Sequence, residues 1–237
     1  MLTRIISITN PIAAGVHSKF VRRLTHVESV LMPSLRAIGL EPEIFPAILG
    51  SSLHAEGGKV QYRGITLTLG YGCTGNLLSN YELWRLSAES GEPVLVLEDD
   101  ALLPPANSES LRVAVGSFIN KCSENDALYL LGESPSVNGL LKSYHPSQLE
   151  RFSDDLNRLR SGEDLSCTAA YVVTPGAARV LIERLDKSPT LPTDGYLHAA
   201  FRDGAVGIVV QADPTKGFML NENFAEWNHK HDPEVFK

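Results

Sequence analysis

The stretch Val94-Leu95-Val96-Leu97-Glu98-Asp99-Asp100 runs four apolar residues into three carboxylates. An unbroken apolar run is the pattern of a strand buried on both faces of a parallel sheet. Open α/β sheets bind ligands beyond the carboxyl ends of their strands, which is where these acids emerge. Three adjacent negative charges repel one another unless something compensates them, and a hard dication such as Mg²⁺ or Mn²⁺ prefers carboxylate oxygen. Side chains alternate along an extended chain. The expectation is therefore Glu98 and Asp100 on one face, supplying metal ligands, and Asp99 on the other, facing a neighbouring loop or a sugar. The bland alternative is a solvated acidic exit from a strand.

A second carboxylate stands in Leu191-Pro192-Thr193-Asp194-Gly195-Tyr196-Leu197. Asp194 there could act as a general base or orient an acceptor hydroxyl. Equally, Thr193 or Asp194 could cap the helix that follows. Arg22 and Arg23 are of a type that binds phosphate, but two arginines on one helix usually form a solvated face, and that reading is preferred. Tyr71, Tyr81 and Trp84 could stack on a base or sugar, although Trp84 is better explained as core packing of its helix. His198 reads as structural, and His229 and His231 as solvated.

These residues need elements to position them. Residues 4–9, 43–48, 93–97, 127–131, 169–173 and 206–210 read as strands. Residues 19–38, 75–90, 108–122 and 174–187 read as helices from apolar recurrence at three- and four-residue steps, with a shorter helix over 193–201. Pro33 interrupts the first helix, and Gly39 is its stop signal. Thr174-Pro175 is a cap followed by a favoured first helical residue. Residues 50–72 are glycine-rich and read as a loop or hairpin; 132–162 reads as irregular, turning helical over 148–159. Alternating strands and helices indicate an α/β fold with a mostly parallel sheet flanked by helices. We read residues 1–237 as one domain, with 216–237 matching no pattern.

The chain has 237 residues, of which 43% are apolar and 21% charged, the composition of an ordinary globular protein. Lys and Arg total 21 against 28 Asp and Glu, a formal charge of −7. That balance lacks the basic field expected of a nucleic-acid or anionic-membrane protein. No apolar run approaches the roughly 20 residues that span a bilayer, and the first residues read as a strand rather than a signal peptide. Cys73, Cys122 and Cys167 are odd in number and lack CxxC spacing, which argues against a disulfide scaffold or zinc ribbon. The reading is a reduced, cytoplasmic protein.

Taken in order, these motifs resemble glycosyltransferase family 25, the lipooligosaccharide and collagen galactosyltransferase-like group. Gly75-Asn76-Leu77-Leu78-Ser79-Asn80-Tyr81-Glu82-Leu83-Trp84 resembles the family's helix before an apolar strand ending in E-D-D. Asn76 stands where the family often has Cys, and Asn80 where it has His. Ala47-Ile48-Leu49-Gly50 is similar to the family's A-x-x-G after the second strand. Ala170-Tyr171-Val172-Val173-Thr174-Pro175-Gly176-Ala177-Ala178 and Pro192-Thr193-Asp194 resemble its later motifs.

The resemblance implies a GT-A-like fold and transfer of a sugar, with inversion, from a nucleotide-diphosphate donor such as a UDP-sugar to a hydroxyl acceptor. It also implies a Mn²⁺ or Mg²⁺ cofactor and a part in lipopolysaccharide biosynthesis. By the same resemblance Asp100 is the direct metal ligand, with Glu98 acting through metal-bound water or the donor ribose. Asp99 contacts the donor sugar, Asp194 is the base, and Thr9 and Asn10 lie beside the nucleotide. The competing readings are a degenerate member that binds glycan or nucleotide without turnover, a metal-dependent phosphohydrolase, and a transferase acting on a modified DNA base. The charge balance weighs against the last.

Overall fold

A computed structural model of the chain describes residues 1–9, 18–53, 55–56, 59–133, 146–160, 169–185, 191–221 and 224. The N-terminal part contains β1 (Leu2–Ser7), α1 (Ser18–His26), α2 (Met32–Ala37) and β2 (Pro42–Pro46). A small antiparallel sheet follows, made of β3 (Ala55–Glu56), β4 (Lys59–Tyr62) and β5 (Ile65–Leu67). Next come α3 (Tyr71–Ser90), β6 (Val94–Glu98), β7 (Ala101–Leu102), α4 (Ser108–Lys121), β8 (Asp126–Tyr129) and β9 (Leu131–Glu133). The remainder holds β10 (Leu149–Arg151), β11 (Leu156–Leu159), β12 (Ala170–Val173), α5 (Pro175–Leu185), α6 (Thr193–Arg202), β13 (Gly207–Gln211) and β14 (Phe218–Leu220).

Eight strands form the main sheet in the order β10-β11-β13-β8-β12-β6-β1-β2. From the pairings, β2, β1, β6, β8, β13 and β10 run one way, and β12 and β11 run against them. The fold is thus the expected α/β, GT-A-like one. The chain moves from β1 outward to β2, then returns to place β6 on β1's other side. The crevice at the carboxyl ends of β1 and β6 is therefore a topological switch point, the usual ligand position in such sheets.

The sheet separates two apolar cores. On one side Val94 and Val96 of β6 pack with Leu77, Tyr81 and Trp84 of α3 and with Leu181 of α5. On the other, Leu95 and Leu97 pack with Val27, Leu31, Leu35 and Phe118. Trp84 is fully buried and stacks on Tyr196 at 5.7 Å between ring centroids, so it and the buried Tyr81 are core residues. Tyr71 alone of the three candidate stacking rings is exposed.

Pro33 does not end the first helical segment. A π-helical turn, Val27–Leu31, shifts the backbone bonding just ahead of it, and Gly39, at φ +81°, follows the end of α2. Thr174 accepts from the Ala177 N–H at 3.3 Å, as expected of a helix cap. The expected helix over 148–159 is instead the antiparallel pair β10 and β11. Leu149, Phe152, Leu156 and Leu159 have helical spacing, but Ser153-Asp154-Asp155 favours a turn, because such side chains compete for backbone groups. The N–H groups of Phe152 and Ser153 both bond Leu156 O at 3.0 Å across it. β14 also lies in a stretch that showed no periodicity, because three residues are too few to display one. Cys73 and Cys122 are free thiols; Cys167, His229 and His231 lie outside the described residues. Among those residues no helix is long and apolar enough to cross a membrane.

The glycine motifs have a steric cause. A Cβ on Gly75 in α3 would stand 2.3 Å from Ile48 O and 2.9 Å from Gly50 N, and one on Gly50 would stand 2.0 Å from Tyr71 O. The exit of β2 thus lies backbone-to-backbone against the first turns of α3, and Ile48 N–H donates to Ser79 Oγ at 2.9 Å. Since backbone cannot yield as a flexible side chain can, Gly75→Ala is expected to cost about 3 kcal/mol or more. Urea unfolding measures this; a loss within the ±0.5 kcal/mol of a neutral surface change would contradict the close approach.

Candidate active site

β6 delivers its acids at the switch point, and strand alternation sends the first two to opposite sides. Glu98 continues the Val94/Val96 side toward α3, where Asn76 Nδ2 donates to its Oε1 at 2.8 Å. Asp99 continues the Leu95/Leu97 side toward α1. There Arg23 Nη1 donates to its Oδ1 at 2.7 Å, and Ser7 Oγ, at the end of β1, to its Oδ2 at 3.3 Å. Asp100 departs from expectation. The chain leaves the strand at Glu98 and turns through residues 99–100, so alternation stops. Asp100 Oδ2 accepts from Arg23 Nη2 at 2.9 Å, on the same guanidinium as Asp99. Its Oδ1 is buried and has no hydrogen-bond partner.

Arg23 is therefore no member of a solvated face, whereas Arg22 beside it is exposed. Burial pulls the Arg23 guanidinium toward neutrality, but Asp100 and Asp99 outweigh it and hold its pKa above the ordinary value. Burial pushes the Glu98 carboxyl up to about 7; the Asp100 charge adds to this, and the Asn76 hydrogen bond opposes it. Asp99 is likewise raised by burial, against the pull of Arg23.

A chain of polar groups runs back from Glu98 through the core. Asn76 Oδ1 accepts from Thr193 Oγ1 at 2.5 Å and from Asn80 Nδ2 at 3.3 Å. Tyr171 OH donates to Asn80 Oδ1 at 2.6 Å and accepts from Trp84 Nε1–H at 2.8 Å. Burial, with the Glu98 charge adding to it and the Trp84 hydrogen bond opposing it, holds the Tyr171 hydroxyl well above the usual phenol range. The amides at positions 76 and 80 thus link the acidic motif to α6, whose first residue is Thr193. Asp194 follows, partly exposed, with Oδ1 accepting from the Gly195 N–H at 2.8 Å. The residue preceding α6 is Pro192, and no side chain caps that helix, so neither Thr193 nor Asp194 serves as its N-cap.

The C-terminal segment closes this side of the site. β14 pairs antiparallel with β7, directly after the acidic turn. The Asn221 N–H donates to Asp100 O at 2.9 Å. His26 Nε2–H donates to Ala101 O at 2.9 Å, leaving Nδ1 to accept from Asn221 Nδ2 at 3.4 Å. Phe224 lies edge-on to His26 at 5.5 Å, with the Arg23 guanidinium 5.6 Å from its ring centroid.

The structure thus brings Glu98, Asp99 and Asp100 together and ties them to Thr193, next to Asp194. Thr9 is exposed, two residues beyond β1, and Asn10 lies outside the described residues. Sequence reasoning missed Asn76, Thr193, Tyr171 and Asn221, and assigned Arg23 to solvent. The available signal for Arg23 was the uncompensated charge of the triplet itself. Among the described residues no group of three or more His, Cys, Asp or Glu side chains is placed to hold a metal ion. The unpartnered Asp100 Oδ1 fits one direct bond to a hard cation whose other ligands come from a bound phosphate and water, the usual pattern for Mg²⁺.

The family profile described as glycosyltransferase family 25 (LPS biosynthesis protein) matches residues 21–197. That span includes Arg23, α3, the acidic motif and Asp194. No individually curated protein matches the sequence.

The raised Glu98 carboxyl sets a pH dependence. Between its ordinary value near 4.5 and about 7, the unfolded chain releases this proton while the folded chain keeps it. With divalent ions chelated, stability should therefore fall as pH rises through that window, by up to about 1.4 kcal/mol per unit, and level off above it. Urea midpoints from pH 5 to 8 measure this. Glu98→Gln should flatten most of the slope, the remainder belonging to Asp99; an unchanged slope would refute the assignment.

Proposed function

The chain belongs to glycosyltransferase family 25, and we propose that it transfers a hexose, with inversion, from a UDP-sugar to a glycan hydroxyl, using Mn²⁺ or Mg²⁺ at Asp100. The observation that carries this reading is the buried, unpartnered Asp100 Oδ1 at the switch-point crevice. When bound there, the dication supplies Lewis-acid stabilisation of the departing nucleoside diphosphate.

The chain's own residues divide the remaining work. Asp100 offers the direct ligand. Glu98, oriented by Asn76, is the second acid of the metal side and the candidate contact for the donor ribose or a water. Asp99, pinned by Ser7 and Arg23, faces the donor sugar. Thr9, just beyond β1, is assigned to the nucleotide, and Asn10 is assigned to it on the family resemblance. Asp194 accepts the proton of the acceptor hydroxyl as it attacks. Its place beside Thr193, which bonds the amide that holds Glu98, supports a role on the acceptor side of the same crevice. A place in lipopolysaccharide biosynthesis follows the family's description.

Two substitutions test the assignment. In Asp100→Ala the thermal stabilisation by a UDP-sugar with Mn²⁺, measured against the variant's own metal-free melting temperature, should vanish, while that metal-free value itself falls because the buried pair with Arg23 is broken. If the variant binds and turns over like the parent, the metal role is wrong. In Asp194→Asn, release of UDP in the presence of acceptor should fall by about 10²- to 10⁴-fold with donor binding retained. Loss of folding instead would mark Asp194 as a structural residue of α6.

A further inference from the structure

Arg23 already stands where a cation is needed. Its guanidinium takes one oxygen from each of two neighbouring carboxylates, Asp99 Oδ1 and Asp100 Oδ2, and leaves Asp100 Oδ1 as the buried oxygen without a partner. The Arg23 side chain is 15% exposed, so solvent screens it poorly. The C-terminal segment holds it from behind. Phe224 presents its ring to the guanidinium, and Asn221 ties the backbone of Asp100 to the same segment. An arginine does not lose its proton in proteins, so this counter-ion is permanent.

We infer that Arg23 is an internal counter-ion that makes the acidic turn a weak site for a lone dication and a strong one for a dication carrying a diphosphate. The inference rests on the metal and donor reading above and adds to it a residue that sets the order of binding. A dication approaching Asp100 in the free protein meets a fixed positive charge on the same carboxylate, and the two repel. A nucleoside diphosphate brings negative charge to both cations and turns that repulsion into a shared attraction. The ion and the nucleotide then favour each other's binding, and linkage requires the coupling to be reciprocal. Arg23 acts through Asp100 and so is a positioning residue. Phe224, by holding the guanidinium, brings the C-terminal segment into the same device.

The test is a Mn²⁺ titration followed by the electron paramagnetic resonance of the free ion, first without nucleotide and then with UDP. In the parent, Mn²⁺ alone should bind weakly and UDP should tighten it. In Arg23→Gln, Mn²⁺ alone should bind about ten-fold more tightly than in the parent, and the enhancement by UDP should shrink by a similar factor. Arg23→Lys, which keeps the charge, should stay near the parent, and Phe224→Ala should shift the same way as Arg23→Gln by less. Equal or weaker Mn²⁺ binding by Arg23→Gln would overturn the inference while leaving the donor-site reading intact. Failure of the parent to bind Mn²⁺ even with UDP would overturn both. Should Arg23→Gln not fold, Phe224→Ala decides: unchanged Mn²⁺ binding there overturns the inference.

Discussion

Compensation of three carboxylates at the end of one buried strand is the constraint around which this molecule is arranged. Leaving charge buried without a partner is far more costly than any single packing contact. Each acid therefore has its own answer. Glu98 takes an amide hydrogen bond and a pKa near neutrality; Asp99 takes a guanidinium and a hydroxyl; Asp100 takes the other arm of the same guanidinium. β6 sends Glu98 and Asp99 to opposite faces, so each meets its partner from a different helix, Asn76 of α3 and Arg23 of α1. Among the described residues, Asp100 Oδ1 is the oxygen of this triplet left buried without a hydrogen-bond partner, and the proposed cation site rests on it.

The second structural debt is the polar chain inside the α3 core. Asn76 and Asn80 are four residues apart, one turn of helix, so both point at the sheet. Buried amides are tolerated only if their donors and acceptors are met. Glu98, Thr193 and Tyr171 meet them, and Trp84 completes the run. At these two positions the amides play complementary parts: Asn76 offers a donor to Glu98, and Asn80 an acceptor to Tyr171. A single altered amide would strand the other groups, so the network ties α6 to the end of β6 as one unit.

Much of the scaffold was legible because its signals are local. The apolar run 94–97, the helix over 75–90 and the Thr174-Pro175 start each carry their cause in adjacent residues. The span 148–159 was not, because four apolar residues at helical spacing cannot reveal that Ser153-Asp154-Asp155 will turn the chain back. At the site the acids were legible by type, but their partners were not. Arg23 is 76 residues from Asp99, and Thr193 is 117 from Asn76; a single sequence carries no signal of those meetings. The alternation argument placed Glu98 and Asp99 correctly on opposite sides. Asp100 does not follow, because alternation holds only while the chain stays extended and the strand ends at Glu98.

The family profile stops at residue 197, yet the structure does not. β13 lies inside the main sheet between β8 and β11. Without it, both neighbours would present unpaired backbone groups at an apolar interior. β14 then pairs with β7 and carries Asn221 onto Asp100 O and Phe224 onto Arg23. The acidic turn is thus built from both ends of the described chain: α1 supplies the counter-charge and the segment after β14 holds it. A site organised this way answers to changes far from the acids in sequence. Residues that show no catalytic chemistry of their own, such as Phe224, acquire influence over it by fixing where one positive charge can stand.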